Sequence, residues 1–239
     1  MSLSANILPA TRPFVLVNMS MTADGKIATA NRAVHSFGSA RDLRHLYELR
    51  ATADAVMCGA RTVEISRSIL DNGGDRFTRL RVKQGLVAHN LRVIVSGSGS
   101  IDLRAPIFRT QFSPIIVLTT ERLPRRKLVQ LRKVVAEVKI VGKRELNFPA
   151  ALRWLRTKWG VKRLLCEGGG ELNAAMFQAD LVDEIHLTIC PMVFGGRNAP
   201  TIADGPGLTR LAQTKQFKLK ALRQSKGELF TVFTRPESG

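Results

Sequence analysis

The residues best suited to chemistry stand together in one short stretch, Glu167-Gly168-Gly169-Gly170-Glu171. A carboxylate there can accept N–H or O–H donors from a ligand. Three successive residues without a Cβ leave the backbone amides open to close approach. Before the stretch, Val161 to Cys166 reads as a strand buried on both faces. After it, Leu172, Ala175, Met176 and Ala179 recur at i, i+3, i+4 and i+7, the spacing of a helix with one apolar face. Strand, glycine turn and helix N-terminus together offer free N–H groups and the positive end of a helix dipole to an anion. The same glycines would equally serve as a plain turn between two core elements. Taken alone, the stretch leaves both readings open.

Its neighbours bear on the choice. Four strand ends carry polar or glycine turns: Asn18–Lys26, Gly59–Thr62, Ser96–Gly99 and Glu167–Glu171. Strands and helices alternate through most of the chain, which predicts an α/β fold with a largely parallel central sheet and helices on both faces. Ligands of such sheets lie outside the carboxyl ends of the strands, where these turns collect. A nucleotide-sized site is therefore expected there.

The elements that must position it read as follows. Phe14 to Ser20 is a buried strand, and Asp24-Gly25 forms the turn after it. Ser39 caps a helix carrying Leu43, Leu46, Tyr47 and Arg50. Ala53 to Gly59, Leu91 to Val95, Ile115 to Thr119 and Val138 to Val141 are further strands, with a basic helix after Pro124. Residues 66–90 read as one long, basic, glycine-containing loop. Phe148 to Trp159 is an amphipathic helix with Pro149 in its first turn. Val182 to Ile189 alternates, with Glu184, His186 and Thr188 on its polar face. The last strands, about 215–224 and 228–234, flank Ser225-Lys226-Gly227 and predict a C-terminal antiparallel hairpin. Residues 1–13 read as a flexible tail and 14–239 as a single domain.

Composition narrows the function classes. No apolar run approaches the ~20 residues that span a bilayer, and the first thirteen residues lack the pattern of a signal peptide. Cys58, Cys166 and Cys190 are odd in number and without metal spacing, which fits buried free thiols in a reducing cytoplasm. The net charge of +18 invites a polyanionic partner. Yet the cations are dispersed, and the densest runs, Arg79 to Lys83 and Arg125 to Lys127, have no interleaved aromatic residues. They read as solvated faces, so nucleic-acid binding is not expected.

Several catalytic classes lack their motifs. G-x-G-x-x-G is absent from the first strand-turn-helix unit, and neither a G-x-S-x-G elbow nor a P-loop occurs. His35, His45, His89 and His186 are scattered and read as surface or loop residues, so no metal site is expected. What remains, glycine turns with hydroxyls and a few charges, suits hydride transfer, in which a cofactor carries the chemistry and the protein positions it.

Several stretches resemble a known family. Asn18-Met19-Ser20-Met21-Thr22-Ala23-Asp24-Gly25-Lys26-Ile27-Ala28 is similar to the opening of the riboflavin-biosynthesis reductase domain. Ser39 to Leu43, Leu49-Arg50-Ala51, Ala53 to Val63, Glu167 to Gly170 and Pro191 to Gly196 continue the likeness, over about residues 14–234. The resemblance implies a dihydrofolate-reductase-like fold, NADPH as reductant, and in most members a homodimer. It implies a phosphorylated pyrimidine ribosylamine as substrate, its ribosyl group reduced to a ribityl chain. By position, Thr62, Ser96, Gly97, Ser98, Gly168, Gly169, Gly170 and Glu171 would hold the cofactor. Asn18, Arg50 and Glu167 would face the substrate, Arg50 toward its phosphate and Glu167 toward the pyrimidine. Lys26 is the nearest candidate for proton handling, while Asp24 reads as a turn-former.

One departure stands out. Family members commonly follow the Thr-Val pair with an Asp-Asp/Asn-Pro segment beside the cofactor, whereas this chain reads Glu64-Ile65-Ser66-Arg67-Ser68. The far end of the cofactor must be met differently. The competing readings are a reductase of another pterin- or pyrimidine-like compound and, supported by charge alone, a basic nucleic-acid-binding α/β module.

Overall fold

In the computed structural model, residues 11–33 and 37–236 are described. Nine strands form one sheet in the order β5-β4-β3-β2-β6-β1-β7-β9-β8. These are β1 Phe14–Thr22, β2 Ala55–Gly59, β3 Leu91–Ser96, β4 Ile115–Thr119, β5 Glu137–Ile140, β6 Arg163–Cys166, β7 Glu184–Cys190, β8 Lys218–Ser225 and β9 Glu228–Thr234. The first seven run parallel. The last two add the expected antiparallel hairpin beside β7. At its turn Lys226 and Gly227 both take positive φ, 50° and 83°, the conformation that matches the twist of the flanking strands.

Helices cover both faces. They are α1 Ala40–Arg50, α2 Ala60–Ser66, α3 Asp75–Lys83, α4 Arg125–Leu131, α5 Phe148–Trp159 and α6 Gly170–Gln178. The period-two alternation of the strands sorts the core. Val15, Val17, Met57, Val93, Leu164 and Cys166 pack with Leu152 and Leu155 of α5 and Met176 of α6. Leu16, Val56, Ile94, Val117 and Leu165 pack on the other side with Leu49 of α1, Val63 of α2 and Leu131 of α4. Leu152 and Leu155 are wholly buried, and each such side chain contributes roughly 1.5–3 kcal/mol. Ser39 caps α1 as expected, its hydroxyl accepting from the amides of Arg41 (3.1 Å) and Asp42 (3.3 Å).

Three sequence expectations need correction. The stretch 66–90 is not one loop, because it contains α3. Phe77 of that helix packs on Tyr47, and the basic run is not wholly solvated. Arg81 is completely buried, donating to the carbonyls of Arg50, Ala53 and Val87. Arg92 is likewise buried on the carbonyls of Thr110 (2.9 Å) and Ile107 (3.3 Å), and burial pulls its pKa down to about 10. The expected tail is also partly docked. Residues 1–10 lie outside the described residues, but Arg12 chelates Asp183 through two 2.7 Å bonds.

The third correction concerns histidine. His35 lies outside the described residues, but His186 on β7 is buried rather than exposed. It stands 3.3 Å from His45 of α1 and 2.7 Å from Glu184, which also accepts from Lys220 (2.9 Å). Burial, reinforced by His186, pulls the His45 pKa below its ordinary 6.5. Burial alone would raise Glu184, but hydrogen bonds from His186 and Lys220 outweigh it and hold the carboxyl down to about 2. Both shifts have the same sign in stability. The unfolded chain protonates His45 more readily than the fold does, so stability drops as pH falls through 6.5. It drops again between 4.5 and 2, where Glu184 is protonated in the unfolded chain before it is in the fold. We expect urea midpoints to show both losses, and His45→Gln to flatten only the upper one.

Candidate active site

Strand β6 lies between β2 and β1, which puts its carboxyl end at the centre of the sheet. The turn after it is fastened to β2, with Glu167 N–H donating to Met57 O (2.9 Å) and Gly59 N–H to Gly168 O (2.8 Å). Gly168 has φ of +74°, and a Cβ there would meet Met19 Sδ at 2.8 Å and the Asn173 amide at 3.0 Å. Only glycine fits. Gly168 thus makes the turn and stands behind the cavity wall, whereas its neighbours Gly169, Gly170 and Glu171 line the cavity.

That cavity, of about 1110 Å³, opens at the carboxyl ends of β1, β2, β3 and β6. Thr62, Ser96, Gly97 and Ser98 lie on its wall. Gly169 N–H donates to Thr62 Oγ1 (3.0 Å), and the first turn of α6 closes with Asn173 N–H on Gly169 O (3.0 Å). The amides of Gly170, Glu171 and Leu172 precede that bond and have no partner within the helix. A Cβ on Gly169 would lie 3.0 Å from Thr62 Oγ1, and one on Gly170 would lie 2.5 Å from Thr201 O. A side chain at either position would crowd Thr62 or Thr201, so glycine keeps the turn tight, and the first-turn amides of α6 form a cradle that suits an anion such as the diphosphate of a dinucleotide. Glu171 brings its amide to this cradle. Its carboxylate is exposed, 4.0 Å from Arg61.

The wall's charge does not follow the chain's. Arg32, Arg61 and Arg144 line it against Asp42, Glu64, Glu145, Glu167, Glu171 and Asp204. With carboxylates outnumbering cations, backbone amides must do much of any phosphate binding. Where the family's Asp-Pro turn is missing, Glu64 of α2 lines the cavity and accepts from Asp102 N–H (2.7 Å).

The other end is acceptor-rich. Asn18 lines the cavity beside Glu167, and its Oδ1 is buried with no partner. Ser20 Oγ donates to Asp42 Oδ2 (2.7 Å) on the same wall. The sequence reading missed Asp42. Its position three residues after the Ser39 cap was visible and marks a helix start, but nothing local shows that it faces a ligand.

Arg50 is not on the wall. It is 4% exposed, and its guanidinium grips Glu167 through Nε–Oε1 (2.6 Å) and Nη2–Oε2 (2.7 Å), with Nη1 on Asp71 O. Burial disfavours its charge, but Glu167 outweighs that and raises its pKa. The expected contact between Arg50 and a phosphate is therefore replaced by an ion pair. Lys26 is also away from the wall. It bridges to Thr201, and its Nζ reaches Ala199 O at 3.4 Å, because the chain after β1 turns back against residues 199–201. Asp24 forms the turn, accepting from Thr22 Oγ1 (2.5 Å), Phe194 N–H (3.2 Å) and Gly195 N–H (2.7 Å). The hydrogen bond from Thr22 leads in lowering its pKa.

The thiols are inert here. Burial raises Cys58 well above its ordinary range and pushes Cys166 up to about 12, so neither supplies a thiolate at neutral pH. Among the described residues no His, Cys, Asp and Glu cluster is able to hold a metal ion.

A largely parallel sheet with helices on both faces, a C-terminal hairpin and a dinucleotide-sized cleft at its strand ends defines a dihydrofolate-reductase-like α/β protein. The fold agrees with a pyrimidine reductase-like protein of Corynebacterium diphtheriae, at TM-score 0.76 and 21% identity over 98% of this chain and 97% of that one. The family model of the RibD C-terminal domain matches residues 13–229, and the chain belongs to that family. Two archaeal relatives are each named 2,5-diamino-6-ribosylamino-4(3H)-pyrimidinone 5′-phosphate reductase. That of Methanothermobacter thermautotrophicus is 37% identical over 211 residues, covering 87% of this chain and 92% of the relative. That of Archaeoglobus fulgidus is 33% identical over 207 residues, covering 87% and 93%.

Proposed function

We propose that this chain is a nicotinamide-dependent reductase that converts the ribosyl group of a phosphorylated pyrimidine ribosylamine to a ribityl chain, as in riboflavin biosynthesis. The observation that carries the reading is that the α6 amide cradle and the Glu167 carboxylate line one cavity. The names of the archaeal relatives support the substrate class. When bound, the reduced nicotinamide supplies the hydride. The chain's residues do the rest. Gly169, Gly170 and Thr62 hold the diphosphate, and Ser96 to Ser98 carry the groove beyond it. Glu167 and Asn18 accept hydrogen bonds from the pyrimidine, and Asp42 and Ser20 from the opening sugar. NADPH is the proposed reductant, since Arg61 and Arg144 line the cavity and suit a 2′-phosphate.

The test follows reduced-nicotinamide absorbance with the diamino-pyrimidinone ribosylamine phosphate and with its deaminated uracil counterpart. We expect turnover with at least one, and tighter binding of NADPH than of NADH. No turnover and no thermal shift with either nucleotide would refute the reading.

With Arg50 engaged elsewhere, the substrate's phosphate falls to Arg32, a cation on the wall in the segment that follows Ile27 and Ala28. Arg32→Ala should raise KM for the phosphorylated substrate roughly tenfold, about the ~1.5 kcal/mol of one charge-assisted bond, and leave a dephosphorylated substrate unaffected. An unchanged KM would assign the phosphate to another group.

A homodimer is proposed as well. Edge strand β8 exposes Leu219 (56%) and Leu222 (58%) along an unpaired backbone, a surface suited to a second copy. Light scattering should give twice the chain mass, and Leu222→Glu a monomer. The three free, buried cysteines favour a cytoplasmic setting. No helix of the described residues is long and apolar enough to cross a membrane.

A further inference from the structure

We propose that Arg50 is a positioning residue: it holds the Glu167 carboxylate in its working orientation instead of binding the substrate's phosphate, and residues 75–90 brace it from behind. This deepens the reductase reading and rests on it. Glu167 stands on a turn whose next three residues are glycines, so no neighbouring side chain on that turn packs against it or limits its rotamers. Its orientation must come from across the fold. Arg50, 117 positions away, supplies it with a two-pronged grip at 2.6 and 2.7 Å, the planar match of guanidinium to carboxylate. Three of its five N–H donors are engaged, two by Glu167 and one by Asp71 O. At 4% exposure, a phosphate reaching this guanidinium would have to enter a buried pocket beside a carboxylate of like charge.

The grip is itself anchored. The Arg50 carbonyl accepts from Arg81 Nη1 (2.7 Å) and Asn90 Nδ2 (2.9 Å), and the Ala53 carbonyl accepts from the same two groups, each at 2.6 Å. Arg81 thus places a fully buried charge on the carbonyl that ends α1 and on that of Ala53 just beyond it, with no carboxylate partner among the described residues. Tyr47 lies with its ring centroid 5.5 Å from the Arg50 guanidinium carbon and 5.5 Å from the ring of Phe77. Residues 75–90 therefore build a support behind the Glu167 carboxylate.

The experiment compares Arg50→Gln, Arg50→Lys, Glu167→Gln and the Arg50→Gln/Glu167→Gln double variant with the unaltered protein. Turnover is measured on the phosphorylated ribosylamine and on its dephosphorylated form, and NADPH binding by fluorescence. A misplaced carboxylate should lower kcat/KM by about a hundredfold for both substrates alike, leaving their ratio within about twofold of the unaltered protein. Lysine, a point charge, should recover only part of this. The double variant should be no worse than Glu167→Gln alone, because both changes remove one interaction. NADPH affinity should stay within about twofold.

A collapse of the phosphorylated-to-dephosphorylated ratio in Arg50→Gln would overturn the proposal and make Arg50 the phosphate contact. Losses that multiply in the double variant would overturn it too. If Arg50→Gln fails to fold because Glu167 is left buried and unpaired, the double variant carries no lone charge and its ratio decides: retained supports the proposal, collapsed overturns it. Turnover by the unaltered protein with a collapsed ratio removes only this role. No turnover by the unaltered protein removes the reductase reading, and the role with it.

Discussion

Glu167→Gln is expected to lower kcat/KM by at least about a hundredfold, the largest effect of any single polar substitution in this chain. Two losses combine. On the proposed reading the pyrimidine loses a charged acceptor, and sites built around hydrogen-bonding groups discriminate steeply when one is left unpaired. Arg50 loses its counter-charge while remaining 4% exposed. Removing one partner of a buried ion pair costs about 3–5 kcal/mol, and glutamine, which still offers one acceptor, should fall at the lower end of that range. Urea unfolding of the cofactor-free protein measures the second loss, and steady-state kinetics at saturating NADPH the first. Full activity with unchanged stability would mean that Glu167 neither meets the substrate nor depends on Arg50.

Gly169→Val should raise the dissociation constant for NADPH by about a hundredfold or more while leaving the fold nearly intact. The position has φ of −64° and ψ of −170°, so it does not call on glycine's freedom at positive φ. What demands glycine is space. The Cβ would stand 3.0 Å from Thr62 Oγ1 at the mouth of the amide cradle. The valine methyls would then occupy volume a diphosphate needs, shielding two amides worth about 1.5 kcal/mol each to a charged acceptor. That sum is about a hundredfold in affinity. Fluorescence titration gives the affinity, and thermal melting without nucleotide controls for the fold. Unchanged NADPH affinity would show that the triple glycine serves only the turn.

Much of the architecture was legible because it rests on local and periodic features. Runs buried on both faces, such as Ile115–Thr119 and Leu91–Ser96, became parallel inner strands. The i, i+3, i+4 spacing of Leu152, Leu155 and Met176 with their neighbours placed α5 and α6 on one face. The Ser39 cap and the Lys226-Gly227 turn formed where their residue types ask for a cap and a positive φ. The α3 helix was not read, since Gly73 and Gly74 before it signal a loop and its buried face includes a charged residue, Arg81, beside Phe77. It is held by Phe77 against Tyr47 and by Arg81 against the end of α1.

The sequence by itself determined where a tight glycine turn meets a helix start, because residues without a Cβ between a buried strand and an amphipathic run set that turn locally. It likewise determined which strand ends gather into a cleft. Only the tertiary structure decided which charges face that cleft. Arg50 at the end of α1 and Lys26 after the carboxyl end of β1 both read as ligand-facing in the sequence, yet one is turned inward onto Glu167, and the other back along residues 199–201. Asp42 and Arg32, with no motif of their own, line the wall instead. The physical reason is the range of the interactions. Turns and periodicity are set by neighbours within a few residues. A buried charge takes whichever partner the fold brings within about 3 Å of it, and that partner can stand anywhere in the chain.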